Sequence, residues 1–291
     1  MLELALQQVV NGLMVGAIYA LMALGLMVIL GILRIINMAQ GELYMLGGYF
    51  CYLATTQLGF GYFSAILFAM LATCCVGVLM ERLTVRPFLR RPSYVVFLST
   101  FAVSLILQNM AELVWGPDSQ TVPSPFAVAP IVIGPIFLTT QKLFIFAVAL
   151  AAVAVFAAFL RFARMGMAIR ALARDRDAAL LMGINADRIQ SFTFGIGASL
   201  AAAAGALIGT MFSIYPTMGQ LPLLKGFALV VMGGMGSVGG VFVAGLMLGV
   251  AEGLAAGFLS TRYIDLVAFV TMLIVLMIKP DGLARWGKSG V

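Results

Sequence analysis

The sequence has no histidine and very few charged residues. Only 10% of its 291 residues are charged and 63% are hydrophobic, whereas about a quarter of the residues in an average soluble domain are charged. A water-soluble fold of this length could not bury that much apolar surface, so the composition excludes soluble enzymes, nucleic-acid-binding domains and disordered linkers. The lack of histidine removes the Ser-His-Asp triad and the HExxH zinc motif, and we expect no catalytic residue.

Cysteine is almost as scarce. Cys51, Cys74 and Cys75 all lie in apolar runs without the spacing of metal ligands, so we expect no disulfide, metal or other cofactor. A literal phosphate-loop pattern occurs at residues 282–289, but a membrane span and Pro280 precede it instead of the strand that such a loop requires. The chain therefore has no credible nucleotide site of its own.

Long apolar runs dominate what remains, and the mean hydropathy is +1.11. A membrane-spanning helix needs about 20 mostly apolar residues. Nine runs qualify or come close: residues 6–33, 43–56, 62–80, 94–114, 143–160, 192–212, 223–235, 241–259 and 264–278. The predicted fold is an all-α polytopic membrane protein, with residues 1–291 as one bundle of eight to nine transmembrane helices. Prolines exclude a regular helix from residues 115–137, which we predict to be an extramembrane loop.

The distribution of Lys and Arg predicts the orientation of the chain. If the first, third and fifth spans end inside, fourteen of the seventeen Lys and Arg residues lie on the cytoplasmic side. The three outside are Lys142, Lys225 and Arg262. This bias predicts an outside N-terminus and a cytoplasmic C-terminus, which requires an odd number of crossings and makes residues 223–235 a short crossing rather than a re-entrant segment. It also explains the basic net charge of +6 without a nucleic-acid partner.

Two carboxylates interrupt the apolar runs. Glu42 follows Asn37 and Gln40, and Glu252 lies within a predicted span. A charge at the bilayer centre costs about 2.5–3.5 kcal/mol even on lenient scales, so these side chains face protein or water. Two interpretations stay open: the residues line a translocation path, or they only hold helices together. For a polar patch near the end of the fourth span we expect a packing role: Gln108, Asn109 and Glu112.

Glycines mark two further features. Apolar segments containing glycine occur in both halves of the chain, at residues 37–48 and 233–240, and such paired interruptions indicate a transport path. Gly233, Gly234 and Gly236 are therefore candidate path residues. A stripe of glycines at four-residue spacing lies on one face of the eighth span and consists of Gly245, Gly249, Gly253 and Gly257. Gly12 and Gly16 in the first span have the same spacing. Such stripes permit close helix approach, and we favour packing within the chain over a subunit interface.

The polar segment at residues 161–190 is predicted to be cytoplasmic. Apolar residues at helical spacing within it, including Ile169 and Leu172, predict one short amphipathic helix over residues 167–188. This helix is either an ordinary surface helix on anionic lipid or a docking helix for a cytoplasmic partner. The candidate coupling residues are Arg174, Asp175, Asp177, Ala178, Ala179 and Gly183.

The stretch from Asp177 to Gly183 reads DAALLMG and resembles the E-A-A-x-x-x-G loop of ABC importer permeases, with Asp in place of Glu. Other stretches resemble the high-affinity branched-chain amino acid permeases of the LivH type and extend the likeness over nearly the whole chain. They are NGL at 11–13, YAL at 19–21, GIL through NMAQGE at 31–42, ERL and RP at 81–87, ST at 99–100, QN at 108–109, GGMGS at 233–237 and KPDGL at 279–283.

The resemblance implies a non-catalytic permease subunit in the plasma (inner) membrane. It implies a second permease of the LivM type, two cytoplasmic ATPases of the LivF and LivG types and a periplasmic amino acid binding protein as partners. Leucine, isoleucine and valine are the implied substrates. The chain departs from the family at Gln40, where a histidine is usual, and at Gly239 and Gly240, where Pro-Gly is usual. The loss of the histidine removes any titrating switch there.

Two alternatives remain. A self-contained ion-coupled carrier or channel could use Glu42, Glu252 and Asp265 as ligands, but it gives the docking helix no purpose. A urea or amide ABC permease is closely related to the family named above. An interaction scaffold without transport leaves the buried carboxylates unexplained.

Overall fold

The computed structural model describes residues 1–33, 35–89, 91–124, 126, 130–133, 136–259, 263–279 and 282–283. Their helices are α1 (Leu2–Leu33), α2 (Gln40–Thr56), α3 (Tyr62–Met80), α4 (Ser93–Trp115), α5 (Thr140–Phe162), α6 (Arg164–Arg174), α7 (Arg176–Leu181), α8 (Ala186–Ile208), α9 (Gln220–Gly233), α10 (Val238–Phe258) and α11 (Ile264–Ile278). A π-helical turn (Glu81–Val85) and a 3₁₀ turn (Arg86–Phe88) extend α3. The strands are β1 (Pro130–Ile133) and β2 (Ile136–Thr139).

Six of these helical segments are long and apolar enough to cross a membrane: Glu3–Leu33, Tyr62–Phe88, Ser93–Trp115, Thr140–Phe162, Ala186–Ile208 and Val238–Phe258. Two shorter apolar helices, α9 and α11, accompany them. On α4 large apolar side chains such as Leu98 and Leu113 are exposed, as expected of a helix surface that faces lipid. The chain is thus mostly helical and polytopic, and each of the nine predicted segments contains a helix.

Several predicted boundaries and one predicted element differ from the structure. Helix α8 begins at Ala186 instead of residue 192, because the side chain of Asn185 accepts a hydrogen bond from the backbone N–H of Arg188 and starts the helix there. Beyond Trp115, which ends α4, the described part of the Pro-rich segment contains no helix, as predicted, but it is not wholly irregular. It forms an antiparallel hairpin in which Pro130 pairs with Thr139 and Ile133 with Ile136. Arg34, Arg90, Arg262 and the predicted cytoplasmic residues from 284 onward lie outside the described residues.

The chain divides into two compact units, and the larger comprises Gly25–Pro123 and Ala154–Leu223. Its core is formed by α2, α3 and α8, which pack closely through small residues. A Cβ at Gly47 would overlap the backbone of Ala202, and a Cβ at Gly205 would overlap the carbonyl of Tyr44. Only glycine permits this approach of α2 to α8, so most of both helices is buried.

The other unit comprises Met1–Leu24, Ser124–Val153 and Leu224–Val291. In it the amide of Gln7 on α1 bonds both the N–H and the carbonyl of Phe137 in β2, at 2.8 and 2.9 Å. The Lys142 ammonium on α5 donates to Asn11 Oδ1 at 3.0 Å. These bonds hold the hairpin and the start of α5 against the first turns of α1.

The glycine stripe of α10 lies in this unit and packs on α1. A Cβ at Gly249 would overlap the carbonyl oxygen of Gly12 and approach Gly16 Cα to 2.6 Å, and a Cβ at Gly245 would lie 2.9 Å from the carbonyl oxygen of Gly16. The predicted packing within the chain is therefore confirmed for these glycines. Helices in lipid gain little from apolar burial, so this close backbone contact is a main source of their association.

Gly249→Ala tests that contact. The added methyl group has no space, and overpacking of this kind costs about 1–3 kcal/mol, so we expect the thermal unfolding midpoint of the purified protein in detergent to fall. Gly239→Ala on the same helix is the matched control, because none of the described residues has an atom within 4 Å of its Cβ position. Equal midpoints for the two variants would contradict the packing described for α1 and α10.

Candidate translocation and coupling sites

The segment between α1 and α2 carries a buried amide pair in the larger unit. Asn37 and Gln40 are both fully buried. Asn37 Oδ1 accepts from the N–H of Ala39 at 3.1 Å, and its Nδ2 donates to Gln40 Oε1 at 3.3 Å. Gln40 Nε2 donates in turn to the carbonyl oxygen of Gly197 on α8, at 3.0 Å. The predicted break at residues 37–48 is shorter than expected, because Gly41, Gly47 and Gly48 lie inside α2.

Glu42 lies in the first turn of α2 and is 1% exposed. Its Oε1 accepts from the Ser104 hydroxyl at 3.0 Å and from Gln108 Nε2 at 2.6 Å, both on α4. Its Oε2 is buried and has no hydrogen-bond partner among the residues that the structure describes. The position near a helix N-terminus favours a carboxylate, and the free oxygen leaves one buried acceptor available to a donor.

The partners of Glu42 belong to a polar stripe on α4. Thr100, Ser104 and Gln108 recur every four residues, which places them on one helix face. Thr100 Oγ1 accepts from the N–H of Met38 at 3.2 Å, so the stripe contacts the α1–α2 segment as well as α2. A packing role was expected for Gln108, whereas Thr100 and Ser104 were not among the candidate site residues. The four-residue spacing of polar side chains in an apolar span was the signal for them.

The second glycine-containing segment forms a tight turn in the smaller unit. Gly234 and Gly236 have φ values of +91° and +97°, which L-residues with a side chain rarely adopt. Gly233 ends α9, and a Cβ there would overlap the backbone of Val241 on α10. The Ser237 hydroxyl accepts from the Gly240 N–H at 3.1 Å and caps α10. The helix is thus broken only at residues 234–237, not over the whole of 233–240.

Glu252 is engaged in a buried ion pair in the same unit. Its carboxylate lies 2.9 Å from Lys225 Nζ, and both side chains are less than a tenth exposed. Lys225 also pairs with Asp265 at 3.0 Å and lies over the ring of Tyr19, 5.0 Å from its centroid. The charge count places Lys225 among the three outside residues. In the structure it is a buried residue near the start of α9, where a partner carboxylate makes its burial tolerable.

The coupling segment is two helices instead of one. Asp175 has an extended backbone (φ −148°, ψ 109°), and its side chain accepts from the Ala178 N–H at 3.0 Å. The residue therefore ends α6 and caps α7. A hydrogen bond from an Asp side chain to a nearby backbone N–H is an alternative to the bonds of a continuous helix. Gly183, at φ +82°, then ends α7. The predicted single helix over residues 167–188 is wrong for this reason.

Most predicted coupling residues lie on the surface. Ala179 is buried, whereas the other five are exposed: Arg174, Asp175, Asp177, Ala178 and Gly183. Ile169 and Leu172 are buried as the apolar face of α6. At the end of α7, Leu181 and Met182 are 89% and 83% exposed. Exposed apolar side chains at the tip of a polar segment are typical of a contact surface.

Comparisons with known proteins agree with this architecture. The profile of the family described as "Branched-chain amino acid transport system / permease component" matches residues 8–276. Escherichia coli LivH, a high-affinity branched-chain amino acid transport system permease protein, is 36% identical over 96% of this chain and 94% of its own length. Pseudomonas aeruginosa BraD is 34% identical over 96% of this chain and 95% of its own.

The LivM permease of Escherichia coli is also similar, at 27% identity over 91% of this chain and 67% of its own length. The chain therefore belongs to the family of branched-chain amino acid transport system permease components. With six apolar helices of spanning length among its described residues, it is a multi-pass inner-membrane permease.

Removing the Glu42 carboxylate tests the polar contact between α2 and α4. Glu42→Ala leaves the Ser104 hydroxyl and the Gln108 amide without their acceptor, which costs about 1–3 kcal/mol, so we expect a lower unfolding midpoint in detergent. Glu42→Gln is the matched control, because its amide oxygen still accepts a hydrogen bond. If Ala and Gln at position 42 are equally stable, the contact with α4 contributes nothing.

The ion pair of Glu252 gives a second prediction. Lys225→Met leaves a buried carboxylate without its cation, and breaking a buried pair in this way costs about 3–5 kcal/mol. The double variant Lys225→Met/Glu252→Leu removes both charges, and we expect it to be more stable than the single variant. A double-mutant cycle on unfolding midpoints measures the coupling, and strictly additive effects would refute it.

Proposed function

We propose that the protein is the permease subunit of an ABC importer for the branched-chain amino acids leucine, isoleucine and valine. The main support for this proposal is the family match over residues 8–276, together with relatives named LivH and BraD that align along nearly their whole length. The subunit itself is non-catalytic, and ATP hydrolysis resides in partner subunits. Residues 1–291 act as one transmembrane permease domain.

The proposed topology has nine crossings, an outside N-terminus and a cytoplasmic C-terminus. The helices α1, α2, α3, α4, α5, α8, α9, α10 and α11 supply one crossing each, and α6 and α7 stay on the cytoplasmic side. The distribution of Lys and Arg supports this orientation. The short α9 counts as a crossing, because the basic C-terminal residues would otherwise lie outside.

The proposed partners are a second permease of the LivM type, two ATPases of the LivF and LivG types, and a periplasmic amino acid binding protein. Similarity of this chain to LivM supports a pair of related permeases that form the path together. ATP-driven movement of the partners would act on α6 and α7. Their exposed tip, with Leu181 and Met182 beside the turn at Gly183, supports a docking role for Arg174, Asp175, Asp177, Ala178, Ala179 and Gly183.

For the path we propose Asn37, Gln40 and Glu42 at the start of α2, with the turn formed by Gly233, Gly234 and Gly236. Irregular backbone in a membrane is tolerated where it lines a cavity or packs on protein, and the free Glu42 Oε2 is an acceptor within this region. Glu252 stays a prediction for the path. Its pairing with Lys225 supports a role in holding α9 to α10.

The decisive experiment purifies the chain from its native membrane in a gentle detergent and identifies stoichiometric partners by mass. A second permease and two ATPases are expected, and liposomes with the complex should take up leucine only with ATP and the binding protein. Uptake of urea or amides in place of leucine would assign the related urea-type permease. A chain that purifies alone and transports by an ion gradient would overturn the importer assignment.

Gly183→Val tests coupling within that complex. A β-branched residue at φ +82° is strained by about 1–2 kcal/mol, which would displace the tip of α7, and we expect ATP-driven leucine uptake to fall about 10-fold with normal membrane insertion. Gly116→Val is the matched control. Its φ of +83° is close to that of Gly183, and at both glycines no atom of the described residues lies within 4 Å of the Cβ position. Equal uptake by both variants would remove the docking role of α7.

A further inference from the structure

A basic groove lies where the helix Tyr62–Phe88 and the start of α8 run side by side in the larger unit. Its volume is about 500 Å³, within the range of small-molecule sites. Arg82 and Arg86 line it from the first helix, and Arg188 lines it from α8. None of the residues proposed for the path or for coupling lines this groove.

The positive charge of the groove is only partly compensated. Asp187, also in the lining, pairs with Arg86. The carboxylate of Glu81 is fully buried and accepts from the Ser191 hydroxyl at 2.5 Å. Within the described residues, Arg82 and Arg188 form no ion pair, and both are exposed. Arg82, which the buried Glu81 carboxylate balances only in part, and Arg188 therefore remain available to an anion.

Along the axes of the two helices, the lining of the groove changes from charged to apolar side chains. Val78 lies four residues before Arg82, and Phe192 lies four residues after Arg188; both line the groove. Four residues span about 6 Å along a helix, so on both walls the charge lies about one turn from an apolar surface. On the first helix this surface continues through exposed leucines, with Leu71 at 60% and Leu67 at 57%.

Basic side chains next to a strip of apolar side chains fit one kind of ligand. A phospholipid presents a phosphate at the membrane surface and acyl chains beneath it, and basic pockets between membrane helices bind anionic headgroups. Both helices have spanning length, and the arginines lie at the ends that the proposed topology assigns to the cytoplasm. We propose that this groove binds the phosphate of an anionic phospholipid, with Arg82 and Arg188 on the headgroup and Val78 and Phe192 on the acyl chains.

The test uses the complete transporter complex in nanodiscs of phosphatidylcholine, with or without an equal amount of phosphatidylglycerol. Native mass spectrometry then counts the phosphatidylglycerol molecules that remain bound. Each arginine near a membrane surface contributes about 1 kcal/mol, so Arg82→Gln/Arg188→Gln should weaken binding about 30-fold. Arg82→Lys/Arg188→Lys retains the charge and should largely preserve binding.

The matched control is Arg161→Gln/Arg164→Gln, which removes two exposed arginines from the same proposed side but outside the groove. It should bind phosphatidylglycerol like the unmodified complex. If the Gln pair in the groove fails to assemble, Arg188→Gln alone should still weaken binding about fivefold. The lipid readout needs no transport, so it is independent of the carried substrate.

Three results would overturn the proposal. The Gln pair could retain phosphatidylglycerol as well as the control pair. Inorganic phosphate could protect the complex from unfolding as strongly as the lipid does, which would make the groove a site for free anions. Arg188→Gln could lose the ATPase subunits equally in both nanodisc types while it retains phosphatidylglycerol, which would make the groove a protein contact.

Discussion

Close backbone contact between helices is the constraint on which the rest of the structure depends. In lipid, apolar side chains do not drive helices together, so association requires short distances and satisfied polar groups. Glycines supply the distances: Gly47 and Gly205 between α2 and α8, and Gly12 and Gly249 between α1 and α10. Because α2 is held so close to α8, Gln40 reaches the carbonyl of Gly197, and the start of α2 acquires its defined position.

The buried carboxylates of Glu42 and Glu252 are stabilised by different chemistry. Glu42 is held by neutral donors on α4 and keeps one oxygen free, whereas Glu252 faces a lysine. A carboxylate that is held by uncharged hydrogen-bond donors can exchange its partners, whereas an ion pair in a low-dielectric region is costly to separate. This contrast supports Glu42 more than Glu252 as a proposed path residue, although the sequence alone does not distinguish the two.

Periodicity and composition were enough to predict the long helices. They failed where contacts between specific side chains determine the burial of a residue or the end of a helix. Residues 6–33 and 241–259 carry long apolar runs, so α1 and α10 follow from hydropathy alone. The burial of Lys225 depends on Glu252, which lies on the next helix, and no local pattern reveals it. Likewise, Asp175 divides the coupling segment into two helices through one hydrogen bond of its side chain. The amphipathic pattern continues past Asp175 and therefore does not reveal this division.

The π-helical turn at Glu81–Val85 has a consequence for the register of its helix. A π turn accommodates one residue more than an α turn, and each residue of an α-helix rotates the chain by about 100°. The extra residue therefore turns Arg86 and everything after it to a different face from the one that a regular continuation of α3 would give. Deleting one uncharged residue of this turn would keep every charge and yet point Arg86 away from Asp187. The number of residues in the turn therefore determines where Arg86 points as much as its identity does.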